Sequence, residues 1–393
     1  MLLAVVLQSS IVASPAAGVV GGMNVGKAQT YTTEASNSEP TTVVLPGLSP
    51  LHIVGNSFVN EAGVKVVLHG IDIWNQRIEL DGPARPLNQA DFGYLANSWN
   101  VKVVRIPIFP PTWATGQDNL TFLEKQVSWA NQYGMYAIID WHAVGDIASP
   151  NGWNVPSLAF TEAFWSTISQ AFRGKPGVMY EIYNEPSQIT WNQWQGYAQQ
   201  IVTLIREYDP NTIILVSGVR SSSDLSGVRG QPVSGTNIGY VVHPYPNSCS
   251  YFDESGSTCW DSAFGNTSAV YPVFATEWGY YTRDQSLCAS EFSTLNFNGY
   301  AGKLLAYLQA KEISWSAWVW NPYGCPTMLL SWLKYQPTQY GQFVQAALTS
   351  ESSPTAVSPL VALFRPSVSA YGTMTVVPPG RSQNPDGWSK QSR

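Results

Sequence analysis

Between residues 51 and 348 short, continuously apolar runs alternate with longer amphipathic stretches. The runs are Val64–Leu68, Val101–Ile106, Tyr136–Ile139, Val178–Ile182, Ile213–Val216, Ile238–Val242, Val273–Thr276 and Ile313–Val319. Runs so short and so uniformly apolar fit strands buried on both faces, as in a parallel sheet. The stretches between them carry helix signals. Thr121-x-x-Glu124 has the form of a capping box, and Leu120, Leu123, Val127 and Ala130 follow at helical spacing. Phe164, Ile168 and Phe172 form an apolar stripe after Thr161. Thr190-x-x-Gln193 opens another helix, which Asp209-Pro210-Asn211 closes. Eight strands separated by helices predict an α/β fold, a (β/α)8 TIM barrel with N- and C-terminal extensions. The sixth-to-seventh connection is rich in loop residues, so its helix has the weakest pattern. The alternative is an open doubly wound sheet. It usually wants a Gly-rich phosphate turn after its first strand, and none stands there.

The flanks read differently. Residues 1–24 begin with the apolar MLLAVVL and continue into small residues, which suggests an export signal, although a basic start is missing. Residues 25–50 are rich in Thr, Ser and Glu and read as a linker-like arm, with 51–348 as the (β/α)8 domain. Residues 349–393 form a Ser/Pro-rich tail without a pattern for a second module. No run of about 18 apolar residues exists, so no membrane span is expected.

Composition narrows the function. Charged residues make up 12% of the 393, about half the usual share of roughly a quarter, and the net charge is −6. Without a basic block to track phosphates, a nucleic-acid partner is not expected. The 16 Trp, 20 Tyr and 14 Phe exclude a disordered chain. Flat rings with a polar edge also suit the faces of sugars, although core packing accounts for most of any such set. The four His belong to no ligand spacing, so neither a catalytic metal nor another cofactor is expected. Four Cys, at 249, 259, 288 and 325, fit two disulfides in an oxidising compartment and hence secretion. Three pairings are open; the preferred one is Cys249–Cys259 with Cys288–Cys325.

In a barrel, chemistry gathers where the strands end. The second run ends in Arg105. The third is followed by Asp140, Trp141 and His142, and the fourth by Asn184, Glu185 and Pro186. His243 and Tyr245 follow the sixth, Glu277 the seventh, and Trp318 lies in the eighth. A lone Glu is most often solvated or salt-bridged, but six such ends together are hard to read as core filling. Glu185 and Glu277 would face each other across the barrel mouth. Glycosidic cleavage uses such a pair: one carboxyl protonates the leaving oxygen, and the other attacks the anomeric carbon or activates water. The two need unlike protonation states. Arg105 and Tyr245 are expected beside Glu277 as partners for its charge. Asp140 reads as a structural hydrogen-bond partner.

The segments VVRIPIF, AIIDWH, VMYEIYNEP, VVHPY, PVFATEWG and ISWSAWVWNP, in this order over about 300 residues, resemble glycoside hydrolase family 5, cellulase-type retaining glycosidases. The resemblance implies a (β/α)8 barrel, retention of configuration and no metal. It assigns Glu185 as acid/base, Glu277 as nucleophile and Asn184 as partner of the sugar 2-hydroxyl. Arg105, His142, His243 and Tyr245 would orient these groups, and Trp318 would lie under the sugar. The first strand ends in LHGIDIWN, where the family more often has a Gly-Val-Asn turn; Trp74 there is a candidate for stacking on a distal sugar. Of Trp113, Trp141, Trp153, Trp260, Trp278 and Trp320, two or three are expected in a cleft. Trp320 would share a strand face with Trp318.

The leading function is a retaining endo-β-1,4-glucanase that acts as a monomer on a polysaccharide β-glucan. Its rivals are a β-mannanase or other β-glycanase on the same scaffold and, in another class, a non-catalytic carbohydrate-binding barrel. Two intact carboxylates argue against the binder, which has no need of both.

Overall fold

A computed structural model describes residues 48–74, 85–152, 154–246, 257–285, 288 and 299–350. The expected export signal, most of the 25–50 arm and most of the 349–393 tail lie outside these residues. So do Trp153 and Cys249, and with Cys249 the expected Cys249–Cys259 pairing.

Eight parallel strands close into a barrel. They are β1 (His69–Ile73), β2 (Val103–Ile108), β3 (Tyr136–Trp141), β4 (Val178–Glu181), β5 (Ile213–Ser217), β6 (Ile238–Val242), β7 (Val273–Ala275) and β8 (Ser314–Trp320). Each pairs with its sequence neighbours, and β8 closes on β1 with Trp315 opposite His69. The open-sheet alternative is thereby excluded. Seven of the eight apolar runs coincide with barrel strands.

The first does not. Val64–Leu68 is a lead-in that lies along an N-terminal hairpin, where Leu51–Val54 pairs with Ser57–Asn60. Val66 N–H donates to the Phe58 carbonyl (2.8 Å), and Val64 is exposed. The true strand is HGIDI. Its apolar pattern is broken by Asp72, which turns out to have a buried cation for a partner. Its glycine is required by packing: a Cβ on Gly70 would stand 1.7 Å from the Val103 carbonyl oxygen of β2.

Among the described residues six longer helices surround the barrel: α1 (Gln89–Trp99), α2 (Leu120–Gln132), α3 (Leu158–Ala171), α4 (Trp191–Tyr208), α5 (Tyr300–Ala310) and α6 (Gln339–Ser350). Thr190 and Gln193 cap α4 reciprocally, as their spacing predicts. Thr121 and Glu124 do not cap α2. Asn119, one residue before that helix, does, accepting from Phe122 N–H. The cap lies two residues earlier than the pattern predicts, and the short Asn side chain meets the N–H three residues on, that of Phe122. Among its described residues the β6–β7 connection holds a broken helix over Ser257–Ser268. In the β5–β6 connection no helix exceeds four residues, so the regular alternation fails there.

Buried tryptophans fix the helices to the upper strand ends. Trp165 Nε1 donates to the Ile182 carbonyl (3.0 Å), Trp194 Nε1 to that of Ser217 (2.7 Å) and Trp141 Nε1 to Thr161 Oγ1 (3.1 Å). Each indole meets its one hydrogen-bond need while burying a large apolar area. Among the described residues no helix is long and apolar enough to cross a membrane.

Candidate active site

Arg105 stands inside the barrel, fully buried. A guanidinium in so dry a place needs acceptors for all its N–H groups. Nε and Nη2 grip Glu181 at both oxygens (2.8 Å each). Nη2 also lies 2.9 Å from Asp140 Oδ2 and donates to Asn184 Oδ1 (2.7 Å). Nη1 reaches Glu277 Oε1 (2.6 Å) and Asp72 Oδ2 (3.4 Å). One cation thus joins β1, β3, β4 and the chain beyond β7.

Four carboxylates around one arginine cannot all stay charged. Burial pushes Asp72 and Asp140 well above the usual carboxylate range; the charges of Glu277 and Glu181 add to it at Asp72, and those of Glu181 and Glu185 at Asp140. Burial acts on Glu181 in the same direction, but the Arg105 charge and the bonds from His243 and Arg105 overturn it and hold Glu181 at about 2. Asp140 Oδ2 also lies 2.7 Å from His142 Nδ1. Burial lowers His142 to about 4, so this imidazole is neutral at pH 7.

His243 behaves oppositely. Burial alone would lower it, but the Glu277 charge, with hydrogen bonds to Glu181 and Glu185, raises it to about 10. Both ring nitrogens of the imidazolium donate. Nδ1 lies 3.1 Å from Glu185 Oε1 and Nε2 3.1 Å from Thr276 Oγ1, whose hydroxyl donates on to Glu181 Oε1 (3.2 Å). A continuous chain of hydrogen bonds therefore runs from Glu185 through His243, Thr276, Glu181 and Arg105 to Glu277.

Glu277 takes a second donor, Tyr245 Oη at 3.0 Å from Oε2. Burial raises the Tyr245 phenol well above its ordinary range, so it keeps the proton it donates. The side chain of Glu185 is 22% exposed, against 6% for Glu277. One oxygen of Glu185, one of Glu277 and a ring nitrogen of His243 all lie within 4.8 Å of one another. So close an approach is compatible with the carboxyl separation of about 5–5.5 Å found in retaining enzymes.

An aromatic wall flanks these groups. Trp318 stacks on His142, with ring centres 5.1 Å apart and planes 9° apart, and Trp74 lies 5.8 Å from Trp318. Phe109 touches both Trp74 and His142. Trp318 Nε1 donates to the Cys325 carbonyl (3.0 Å), and Cys325 forms the expected disulfide with Cys288. A Cβ on Gly324 would stand 2.4 Å from the Trp74 ring, so this loop accepts only glycine against that indole. Trp320 does not share the face of Trp318. The β8 register shifts between Ala317 and Trp320, and Trp320 is buried against Tyr94, Trp332 and Tyr335. Trp141 and Trp278 are core, fully buried.

Sequence residues 59–324 match the family described as Cellulase (glycosyl hydrolase family 5). The chain belongs to glycosyl hydrolase family 5. Endoglucanase MaCel5A of Microbulbifer is 26% identical over 297 residues, which is 70% of this chain and 54% of the relative. Endoglucanase E-5 of Thermobifida fusca is 27% identical over 59% of this chain and 48% of its own length. The chain thus spans about half the length of the curated relatives it matches. Among solved structures, the β-glucanase SdGluc5_26A of Saccharophagus degradans superposes with a TM-score of 0.70 at 26% identity, covering 79% of this chain and 96% of that one. Its complex with cellotetraose gives 0.69.

All nine residues singled out in the sequence are brought to one end of the family 5 barrel. Four more belong with them and were missed. Asp72 and Glu181 had a signal: each is a lone carboxylate within a strand, where only an internal cation makes it tolerable. Thr276 and Phe109 had none, since a Thr or Phe at a strand end is ordinary.

Proposed function

We propose that the chain is a retaining endo-β-1,4-glucanase that cleaves β-glucan by double displacement. The observation that carries the reading is the close approach of Glu185 and Glu277, each with its own partners. Glu277, faced by Arg105 and Tyr245, is the nucleophile. Glu185, more exposed, delivers a proton to the leaving oxygen and then takes one from water. His243, carrying positive charge, stands where it stabilises the carboxylate that the first step leaves on Glu185. Asn184 gives its Oδ1 to Arg105, so its amide NH2 is the end that meets the sugar 2-hydroxyl. Such a bond raises the rate to the extent that it strengthens in the transition state. Trp318 and Trp74 supply apolar faces for sugar rings.

That the relatives are endoglucanases and that the Saccharophagus β-glucanase binds cellotetraose favour glucan as the substrate. The Cys288–Cys325 disulfide supports secretion, because such bonds persist in oxidising compartments. We assign residues 1–24 to an export signal and 51–348 to the catalytic domain. The test compares hydrolysis of carboxymethyl-cellulose and mannan, with Glu277→Ala as control, and reads the first-formed anomer by proton NMR. Cleavage of the cellulose derivative with β-anomer released first is expected. Preference for mannan would move the chain to the mannanases, and α-anomer first would remove the double displacement.

A further inference from the structure

Behind Glu185 lies a turn that the steps above do not use. Beyond β5, Val219 to Asp224 form a small closed loop. Two backbone bonds make its base, Val219 N–H to Asp224 O (3.1 Å) and Asp224 N–H to Val219 O (3.2 Å). A Cβ on Gly218 would stand 2.7 Å from the Asp224 carbonyl oxygen, so the closure needs glycine there. Inside the loop Arg220, Ser221 and Ser222 are left-handed in succession, with φ of 57°, 55° and 55°. For L-residues this region brings Cβ against the following carbonyl oxygen, and it is visited singly, chiefly by Gly, Asn and Asp. A run of three non-glycine residues persists only where the surroundings over-determine it, and such strain collects at working sites.

The surroundings here are the two strand ends that carry Glu185 and its partner. Ser222 is fully buried. Its Oγ donates to the Asn184 carbonyl (2.5 Å), one residue before Glu185. Its own carbonyl accepts from His243 N–H (2.7 Å). His243 in turn holds Glu185 Oε1 through Nδ1. A change of backbone at Ser222 would move its carbonyl relative to its side chain, so both bonds depend on the left-handed conformation. Glu277 takes its hydrogen bonds from Arg105 and Tyr245 and meets His243 only at 3.8 Å, so the turn bears on it less directly than on Glu185.

We infer that Ser222 is a positioning residue for Glu185: the left-handed turn clamps the backbones of Asn184 and His243 so that the acid/base carboxyl keeps its place beside the imidazole. The inference rests on the role given to Glu185 above.

The experiment uses the full chain as wild type, Ser222→Ala and Ser222→Gly. Both variants lose the hydroxyl. Glycine adopts positive φ without strain, so that variant keeps the fold. The first readout needs no substrate: the His243 ring is titrated by NMR. Glu185, Glu277, Glu181 and Thr276 face that ring, at 3.1, 3.8, 3.8 and 3.1 Å. As Glu185 loosens, the midpoint should drop by about one pH unit in both variants. An unchanged midpoint in both overturns the clamp, whether or not the protein cleaves glucan. The second readout compares substrates. On cello-oligosaccharides, whose poor leaving group needs a well-placed proton, kcat should fall about tenfold with KM unchanged. On an activated aryl cellobioside, formation of the glycosyl-enzyme should stay within about twofold of wild type. Equal losses on both substrates would show Ser222 to be merely structural. A wild type that cleaves neither substrate ends the glucanase reading, and the His243 titration still decides the clamp.

Discussion

The two ends of this barrel are built on different principles. At the end where the strands begin, Phe58, Leu68, Val103, Ile138, Met179, Leu215, Val241 and Phe274 form a dry cluster under the N-terminal hairpin. At the end where they finish, Arg105 and His243 stand among five carboxylates. The first end gains from removing apolar surface from water, at about 25 cal/mol per Å². The second takes charges out of water, a cost that their mutual attraction offsets only in a fully satisfied geometry. Shape alone therefore secures the lower end, whereas each group at the upper end depends on the protonation state of its neighbours. The dry end keeps the closed sheet stiff, and the stiff sheet holds the charges in register.

The largest expected effects lie at the charged end and concern rate alone. Glu277→Ala should lower glucan hydrolysis by about 10⁴-fold or more, as loss of a nucleophile does elsewhere. Glu185→Ala should lose a comparable factor on glucan but still form the covalent intermediate from an activated aryl glycoside. Azide, which needs no base, should then rescue Glu185→Ala with retained configuration. With Glu277→Ala it attacks from the vacated face and should give inversion. Proton NMR of the two glycosyl azides decides, and exchanged outcomes would mean that the two carboxylates have exchanged roles.

Next come two substitutions of similar cost and opposite consequence. Phe58→Ala empties part of the dry cluster, and Arg105→Met strips the carboxylates of their shared cation. Each should destabilise by about 3–5 kcal/mol, read as denaturant midpoint. Below its unfolding range the Phe58 variant should keep wild-type kcat, whereas the Arg105 variant should lose most of its activity. If Phe58→Ala lowered kcat as well, the two ends would not be separable.

The contrast also explains what was legible in the chain. Seven strands announced themselves because both faces of each meet apolar neighbours. The first was misplaced onto Val64–Leu68 because the real strand carries Asp72, whose partner Arg105 arrives only through folding. Glu185 and Glu277 were readable because residue type and place at a strand end coincide. Thr276 was not, since a hydroxyl becomes a relay only when His243 and Glu181 stand on either side of it. The left-handed Arg220–Ser222 turn left no trace, because serine and arginine carry no mark of positive φ.

A moderate effect should appear with pH. His243 sits at about 10, above the ordinary histidine value of about 6.5, so the folded state binds its proton more tightly than the unfolded one. Its contribution is full below about pH 6.5 and is lost as pH rises to about 10. On the acid side the groups oppose one another. Glu181, held at about 2, and His142, at about 4, withdraw stability as pH falls through those values. Asp72 and Asp140, raised, add it as pH falls from their raised values toward about 3.8, and change nothing below that. Thermal unfolding should therefore show a shallow limb from about pH 6.5 down to about pH 4, a steeper loss below it, and a clear decline between about pH 6.5 and 10. His243→Gln should flatten the alkaline decline, and a variant that kept it would place its origin elsewhere.

The smallest effect tests the link between the two charged centres. Thr276→Val keeps the shape of the side chain and deletes the hydroxyl between His243 Nε2 and Glu181 Oε1. Nε2 then loses its acceptor, and the remaining charge partner, Glu181, lies at 3.8 Å. An unmet buried donor costs about 1–3 kcal/mol, and the nearby carboxylate should hold the loss toward the lower figure. The imidazolium, less well supported, should release its proton at lower pH, so the His243 midpoint should move down in an NMR titration. Glu277 keeps Arg105 and Tyr245, so formation of the glycosyl-enzyme from an activated substrate should hardly change. Turnover of glucan, which also needs Glu185 held beside His243, should fall by a few-fold. If the midpoint stayed at the wild-type value, Thr276 would be only packing, and the hydrogen-bonded path from Glu185 to Glu277 would be a row of neighbours that do not influence one another.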